Sequence, residues 1–399
     1  MASSPTAPAA PAHLKPLVEP AADLTRDEVE RYSRHLIIPE IGSLGQRRLK
    51  NAKVLVIGAG GLGSPALLYL AAAGVGTLGI IDDDAVDLSN LQRQVIHGVA
   101  DVGRSKIESA RDSITALNPL VDVQLHNVRL DATNAVEIFS GYDLILDGAD
   151  NFATRYLVND AAALTGKPYV WGSIFRFDGQ VSVFWEQYGP TYRDLYPEAP
   201  PAGSVPSCGE GGVFGMLCAA VGSLMVTEAV KLITGVGRSL LGRVALFDAL
   251  GGSWREIRVL RDPAAERVTA LADYEAFCGI APAKQPDAGH SVTAAQLATM
   301  LAARQAGLRN FDLVDVRESG EHEIVSINGA RLIPQGRILA GEAWAELPRD
   351  RDIVFHCKAG TRSAAVLAAV QDAGYERVSH LEGGILAWIR DVELGKPVY

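Results

Sequence analysis

The stretch Val54-Leu55-Val56-Ile57-Gly58-Ala59-Gly60-Gly61-Leu62-Gly63 decides the fold. Four apolar residues in succession read as a strand buried on both faces, the kind that parallel sheets use. Gly-x-Gly-x-x-Gly follows at once. Glycines such as Gly58, Gly60, Gly61 and Gly63 let the backbone approach a phosphate at the N-terminus of the next helix, expected over 65–73. A second strand, 78–81, ends on Asp82, where a ribose-binding carboxylate belongs. A helix over 106–117 and a strand over 143–146 continue the alternation. The expected fold is α/β, a doubly wound, Rossmann-like sheet.

Working outward, 399 residues with 48% hydrophobic and 21% charged content suit a globular chain of two or three domains. The net charge of −10 has the wrong sign for nucleic-acid phosphates or anionic lipid, so neither nucleic acid nor membrane is an expected partner. Four cysteines (208, 218, 278 and 357) form no Cys-x-x-Cys pair, which points to a reducing, cytoplasmic setting. The uncharged stretches 54–81 and 211–227 read as buried core: glycines chop the first, and the second is too short for a membrane span. Residues 1–22, rich in Ala and Pro without a basic start or an apolar run, read as a disordered tail and not a signal peptide. The first domain is expected over 23–281, a polar linker over 282–290, and a smaller α/β domain over 291–399.

Charged residues gather where the strands end: Asp82-Asp83-Asp84, then Asn90-Leu91-Gln92-Arg93-Gln94, Lys106, and Asp147-Gly148-Ala149-Asp150-Asn151. Hydride transfer has no need of two cations and a carboxylate there. Cleaving a triphosphate does, because Arg and Lys neutralise phosphate charge and an Asp can hold Mg²⁺. With Arg31-Tyr-x-Arg34 and Gly103-x-x-Lys106, these motifs resemble the MoeB/ThiF family, ubiquitin-activating-like enzymes that adenylate the C-terminus of sulfur-carrier proteins. The resemblance covers about 27–280. It implies ATP and Mg²⁺, with Asp82 on the ribose, Arg93 and Lys106 on the phosphates, Asp150 on Mg²⁺, and Asn90 and Asn151 in the nucleotide site. It also implies that Arg34 reaches the partner subunit's site in a homodimer. Relatives with structural zinc carry Cys-x-x-Cys twice. Here the pairs are Thr191-Tyr-Arg-Asp194 and Glu275-Ala-Phe-Cys278, so no zinc is expected and Cys278 is given no role.

In the second domain Ile353-Val354-Phe355 reads as a buried strand, and Cys357-Lys358-Ala359-Gly360-Thr361-Arg362 as a tight loop entering a helix at Ser363. Converging backbone N–H groups and the helix dipole favour a thiolate or persulfide anion on Cys357. A loop wrapping a tetrahedral phosphate needs arginine one place later, where Ser363 stands; the shorter loop suits a sulfane sulfur. Together with Asp315-Val-Arg317, Ile327-Asn-Gly-Ala330 and Leu381-x-Gly-Gly384 with Trp388, the segment 288–399 resembles the rhodanese family. Lys358 stands where many such domains have arginine. Cys357 and Arg362, with Arg93, are the expected catalytic residues, joined by Cys208, whose position matches the crossover-loop cysteine of MoeB/ThiF-type enzymes. Cys218 reads as a packing residue and His356 as a strand-end packing residue. His35, His97, His126, His322 and His380 show no ligand spacing and are assigned nothing.

The expected function is adenylation of a ubiquitin-like carrier ending in Gly-Gly, then sulfur transfer from a Cys357 persulfide to give a thiocarboxylate. The donor is thiosulfate or the persulfide of a cysteine desulfurase. Two alternatives stand beside it: a ubiquitin-like conjugation activator with a Cys208 thioester, and an NAD oxidoreductase carrying a regulatory rhodanese module.

Overall fold

The apolar run becomes β1 (Lys53–Ile57), which pairs in parallel with β2 (Thr77–Ile81) on one side and β4 (Leu144–Asp147) on the other. The computed structural model describes residues 14–200, 212–278 and 290–399. Two units, Met1–Ile280 and Ala281–Tyr399, each have their own core.

In the first unit β3 (Asp122–His126), β5 (Tyr169–Phe175), β6 (Asp178–Phe184), β7 (Arg243–Asp248) and β8 (Ser253–Arg258) complete an 8-stranded sheet ordered β3-β2-β1-β4-β5-β6-β7-β8. Neighbours from β3 to β5 run parallel, and β6 to β8 form an antiparallel meander ending in β8, all of whose residues are exposed. Strand order reverses between β1 and β4. This switch point opens a crevice at the strands' C-terminal ends, where doubly wound sheets take their ligands.

Helix Gly215–Thr234 is long and apolar enough to cross a membrane by composition. Here it is a core helix: Leu217, Val221, Met225, Ala229 and Ile233 are buried in the main cluster. Gly222 permits the close approach, since a Cβ there would lie 2.6 Å from Pro65 Cγ. The N-terminal segment corrects an expectation. Residues 14–22 are not a free tail: the Leu17 amide donates to the Leu232 carbonyl, Val18 is buried, and Arg47 donates to the Ala21 carbonyl. Apolar Leu14, Leu17 and Val18 within an Ala/Pro-rich run supply the reason.

The second unit is a 5-stranded parallel sheet, ordered β11-β10-β12-β13-β9: β9 (Ser291–Val292), β10 (Phe311–Asp315), β11 (Ala330–Leu332), β12 (Asp352–His356) and β13 (Val378–Leu381). β12 sits in the middle, buried from Ile353 onward, and delivers Cys357 to its C-terminal end.

Where relatives with zinc carry cysteines, side chains of other kinds hold the same segments. Asp194 accepts from the Thr191 amide and from the Asp262 amide. Between them Arg193 forms a two-pronged pair with Asp160 (2.9 and 2.7 Å), and Tyr274 donates to the same carboxylate at 2.7 Å. The guanidinium also lies over the rings of Tyr156 and Phe277, at 5.1 and 4.9 Å. Cys278 is buried in that cluster. Removing one member of a buried pair leaves the other's charge uncompensated. Arg193→Met is therefore expected to lose about 3 kcal/mol in urea unfolding, while a chelator leaves the parent chain's midpoint unmoved. Equal midpoints for parent and variant would break this account.

Candidate active sites

The switch-point crevice is a cavity of about 430 Å³. Gly58, Gly60, Gly61, Asp82, Arg93, Lys106, Asp150 and Asn151 all line it, so eight of the expected nucleotide-site residues converge. The loop is tightly pinned. Asp82 Oδ2 accepts from the Ala59 amide at 2.8 Å and Oδ1 from the Asp84 amide at 2.9 Å. Burial raises the Asp82 pKa, and Lys106 and these amides work against the rise. Lys106, nearly buried, reaches Asp84 at 2.6 Å, and Arg93 donates to the Ser89 carbonyl at 3.2 Å. Asn151 caps helix Phe152–Thr165 by accepting from the Thr154 amide at 2.8 Å, which turns that helix's N-terminus toward the cavity.

Three expected residues lie outside the wall. Gly63 opens helix Gly63–Ala73, and a Cβ there would stand 1.8 Å from the Gly58 carbonyl oxygen. Its role is packing, not ligand contact. Asn90 closes a short 3₁₀ turn, and its carbonyl accepts from the Arg93 and Gln94 amides. Arg34 is exposed on helix Arg26–Leu36 and does not line the cavity.

Sequence reasoning missed His97. Its Nε2 donates to the Ala59 carbonyl at 3.0 Å, and its Nδ1 pairs with the Ser109 hydroxyl at 2.8 Å. Burial lowers its pKa, and the Nε2 proton is committed to the Ala59 carbonyl. Ala59 is thus held on both sides, its N–H by Asp82 and its carbonyl by His97. Val128, Arg129 and Leu130, which follow β3, also line the cavity. Their position after a parallel strand was the available signal.

The second site is the loop after β12. Cys357 is buried, and its Sγ receives the Gly360 amide at 3.1 Å, with the Ser363 hydroxyl 3.5 Å away. The helix begins at Thr361, two residues before the expected start at Ser363. The Leu381-x-Gly-Gly384 motif explains how the loop keeps its N–H groups inward. The Ile385 and Leu386 amides bind the Cys357 and Lys358 carbonyls at 2.8 and 3.1 Å, drawing both oxygens away from Sγ. A Cβ on Gly384 would fall 2.4 Å from the Lys358 oxygen. Arg362 pairs with Glu321 through two bonds, 2.7 and 2.8 Å, which ties the loop to helix Ser319–Ile324. His356 is buried, and burial pushes its pKa down to about 4. Cys208 lies outside the described residues.

A nucleotide crevice at a switch point and a sulfur-handling cysteine loop define one class of protein: an adenylating enzyme joined to a sulfurtransferase. Residues 32–268 match the ThiF family and residues 293–391 the rhodanese-like domain. The chain belongs to the ThiF family, and is an adenylyltransferase and sulfurtransferase. It is 60% identical over 392 residues to the probable adenylyltransferase/sulfurtransferase MoeZ of Mycobacterium tuberculosis, a match covering 97% of this chain and 99% of that one. A sulfur carrier protein adenylyltransferase of Thermus thermophilus is 52% identical over 267 residues, 64% of this chain and 98% of its own. An adenylyltransferase and sulfurtransferase MOCS3 of Drosophila grimshawi is 39% identical over 94% of this chain and 87% of its own. The crystal structure of E. coli MccB shares the fold at a TM-score of 0.55 and 22% identity, covering 62% of this chain and 74% of that one. The adenylating fold implies that ATP is the nucleotide.

Beneath the cysteine loop Asp315 and Arg317 form a fully buried pair at 2.6 Å, with His322 on the same carboxylate at 2.8 Å. Burial works against the ionised Asp315, yet Arg317 and its neighbours hold the carboxyl at about 2. A folded pKa below the unfolded one gives stability that is present above the unfolded value and lost as pH falls through the folded one. As pH falls the second unit is expected to lose stability in two stages, from about pH 6.5 to 4 while buried His356 stays neutral and its unfolded counterpart protonates, and by about 2 kcal/mol between about pH 4 and pH 2 as Asp315 protonates. Urea midpoints followed by tryptophan fluorescence test this, and a profile flat through pH 3 would contradict it.

Proposed function

We propose that this chain adenylates the C-terminal glycine of a ubiquitin-like sulfur-carrier protein ending in Gly-Gly and then converts it to a thiocarboxylate. One observation carries the reading: two cations and a carboxylate, Arg93, Lys106 and Asp150, share a cavity wall with the glycine loop. Hydride transfer would leave that charge unused.

In this mechanism Asp82 orients the ribose with the lone pairs its two amide bonds leave over. Lys106 exchanges its bond to Asp84 for phosphate, and Arg93 joins it there. Asp150 lines the cavity and accepts no hydrogen bond from the described residues, so a hard oxygen donor is available for Mg²⁺. Bound Mg²⁺ would offset the charge on the leaving pyrophosphate. The carrier's terminal carboxylate attacks the α-phosphorus, the bond to pyrophosphate breaks, and an acyl-adenylate remains. No enzyme nucleophile is needed at this step.

Cys357, charged with sulfane sulfur, then supplies a persulfide anion. Its outer sulfur attacks the acyl carbon and AMP leaves, giving an acyl disulfide. Cys208 thiolate attacks the Cys357 sulfur, releasing the thiocarboxylate and leaving a Cys208–Cys357 disulfide for a thiol reductant to reopen. A reducing compartment, the cytoplasm, suits that last requirement. Arg34, exposed and away from its own cavity, fits a residue serving the partner subunit's site in a homodimer. Thiosulfate and a desulfurase persulfide both fit as donors at this level.

Intact-mass analysis of a Gly-Gly carrier incubated with enzyme, Mg-ATP, thiosulfate and reductant is expected to show one oxygen replaced by sulfur, only with ATP. Cys357→Ala is expected to keep carrier-dependent pyrophosphate release and lose the mass change. In a single turnover without added reductant, Cys208→Ala is expected to hold the carrier as an enzyme adduct where the parent releases thiocarboxylate. Loss of pyrophosphate release in folded Cys357→Ala would refute the division of labour. Release of free thiocarboxylate by Cys208→Ala in that reductant-free turnover would remove Cys208 from the mechanism.

A further inference from the structure

Tyr399 is 42 residues from Cys357 in sequence, yet it is packed against the cysteine loop. The Lys358 ammonium lies over its ring, 4.7 Å from the centroid. The ring is itself fixed. Its hydroxyl accepts from Arg317 Nη1 at 2.6 Å and donates to Glu321 Oε1 at 2.9 Å. Glu321 is the carboxylate that pairs with Arg362, and Arg317 is anchored by buried Asp315. One phenol therefore touches the brace of each end of the loop, Lys358 through the ring face and Arg362 through the shared carboxylate.

We propose that Tyr399 is a positioning residue that holds the Lys358 ammonium at the rim of the loop that carries Cys357, so that the loop takes its sulfur from a small dianionic donor, thiosulfate. The inference rests on the reading of Cys357 as a sulfur acceptor and adds its donor preference. A lysine side chain has four rotatable bonds, and an unrestrained one beside a buried thiol spends most of its time in water. A fixed aromatic face keeps the charge near the loop without neutralising it, as a carboxylate would. In the step served, Cys357 thiolate attacks the sulfane sulfur of thiosulfate and a new S–S bond forms. The bond to the sulfonate sulfur breaks, and sulfite departs with the electron pair. Total charge is −3 on both sides, and no external oxidant or reductant enters. A cation held on the loop lowers the repulsion between thiolate and dianion on approach.

The test uses the full chain and follows thiocyanate made from thiosulfate and cyanide, which needs neither carrier nor ATP. Tyr399→Leu and Lys358→Met are each expected to raise KM for thiosulfate about two- to fivefold, the size of an exposed cation–π contact. Their kcat should stay within about twofold, and the double variant should be no worse than the poorer single one, because the two residues act as a unit. Tyr399→Phe keeps the ring and is expected to stay close to the parent. A raised KM in Lys358→Met with an unchanged one in Tyr399→Leu overturns the proposal, as does a fall in kcat alone in Tyr399→Leu. A parent chain that uses an alkyl persulfide but not thiosulfate also overturns it, while leaving Cys357 as the acceptor. Thiocyanate from neither donor removes the reading on which the proposal rests.

Discussion

The carbonyl oxygen of Gly58 stands 1.8 Å from where a side chain on residue 63 would begin. No other residue type fits, and the whole nucleotide site follows from that closeness. The helix must start directly behind the loop, which sets the backbone of Gly58, Gly60 and Gly61 along the crevice. Ala59 must then be held still, which Asp82 does from one side and His97 from the other. The second unit solves the same problem at Gly384, whose lack of a side chain lets another helix N-terminus take the Cys357 and Lys358 carbonyls. Both sites are strand ends where backbone donors face a ligand because backbone acceptors have been turned elsewhere.

What local sequence determines was legible. β1, β2, β4 and β12 follow from unbroken apolar runs, and the helix Lys106–Leu117 falls where its pattern places it. The resemblance to two families added which charges converge, and eight of the expected residues do line one cavity. The antiparallel meander from β6 to β8 was not anticipated. Its strands mix buried and exposed residues in no single period, and β8 is exposed throughout.

Contacts between distant segments left no local trace. Arg362 finds Glu321 at a separation of 41 residues, Tyr399 finds Glu321 at 78, and Tyr274 finds Asp160 at 114. Nothing in a periodicity distinguishes such a pair from two solvated charges. His97 shows the same limit in another form: its importance lies in the carbonyl it holds, and a search for ligand spacing passes over it. The N-terminal segment was misjudged for a simpler reason. Composition averages over Ala and Pro, while three apolar side chains within it were enough to dock against the helix Gly215–Thr234.

The clamp built from Arg193, Asp160 and Tyr274 bears on sulfur traffic as well as on stability. A persulfide passes its outer sulfur to whichever accessible thiolate it meets, so every spare cysteine in a sulfur-transfer enzyme is a potential side track. Fastening this segment with a guanidinium, a carboxylate and a phenol keeps thiols out of its surface. Cys278, the one sulfur remaining there, is buried, and burial raises its pKa, so it offers little thiolate. The fold of the first unit thus keeps this segment chemically quiet toward sulfur.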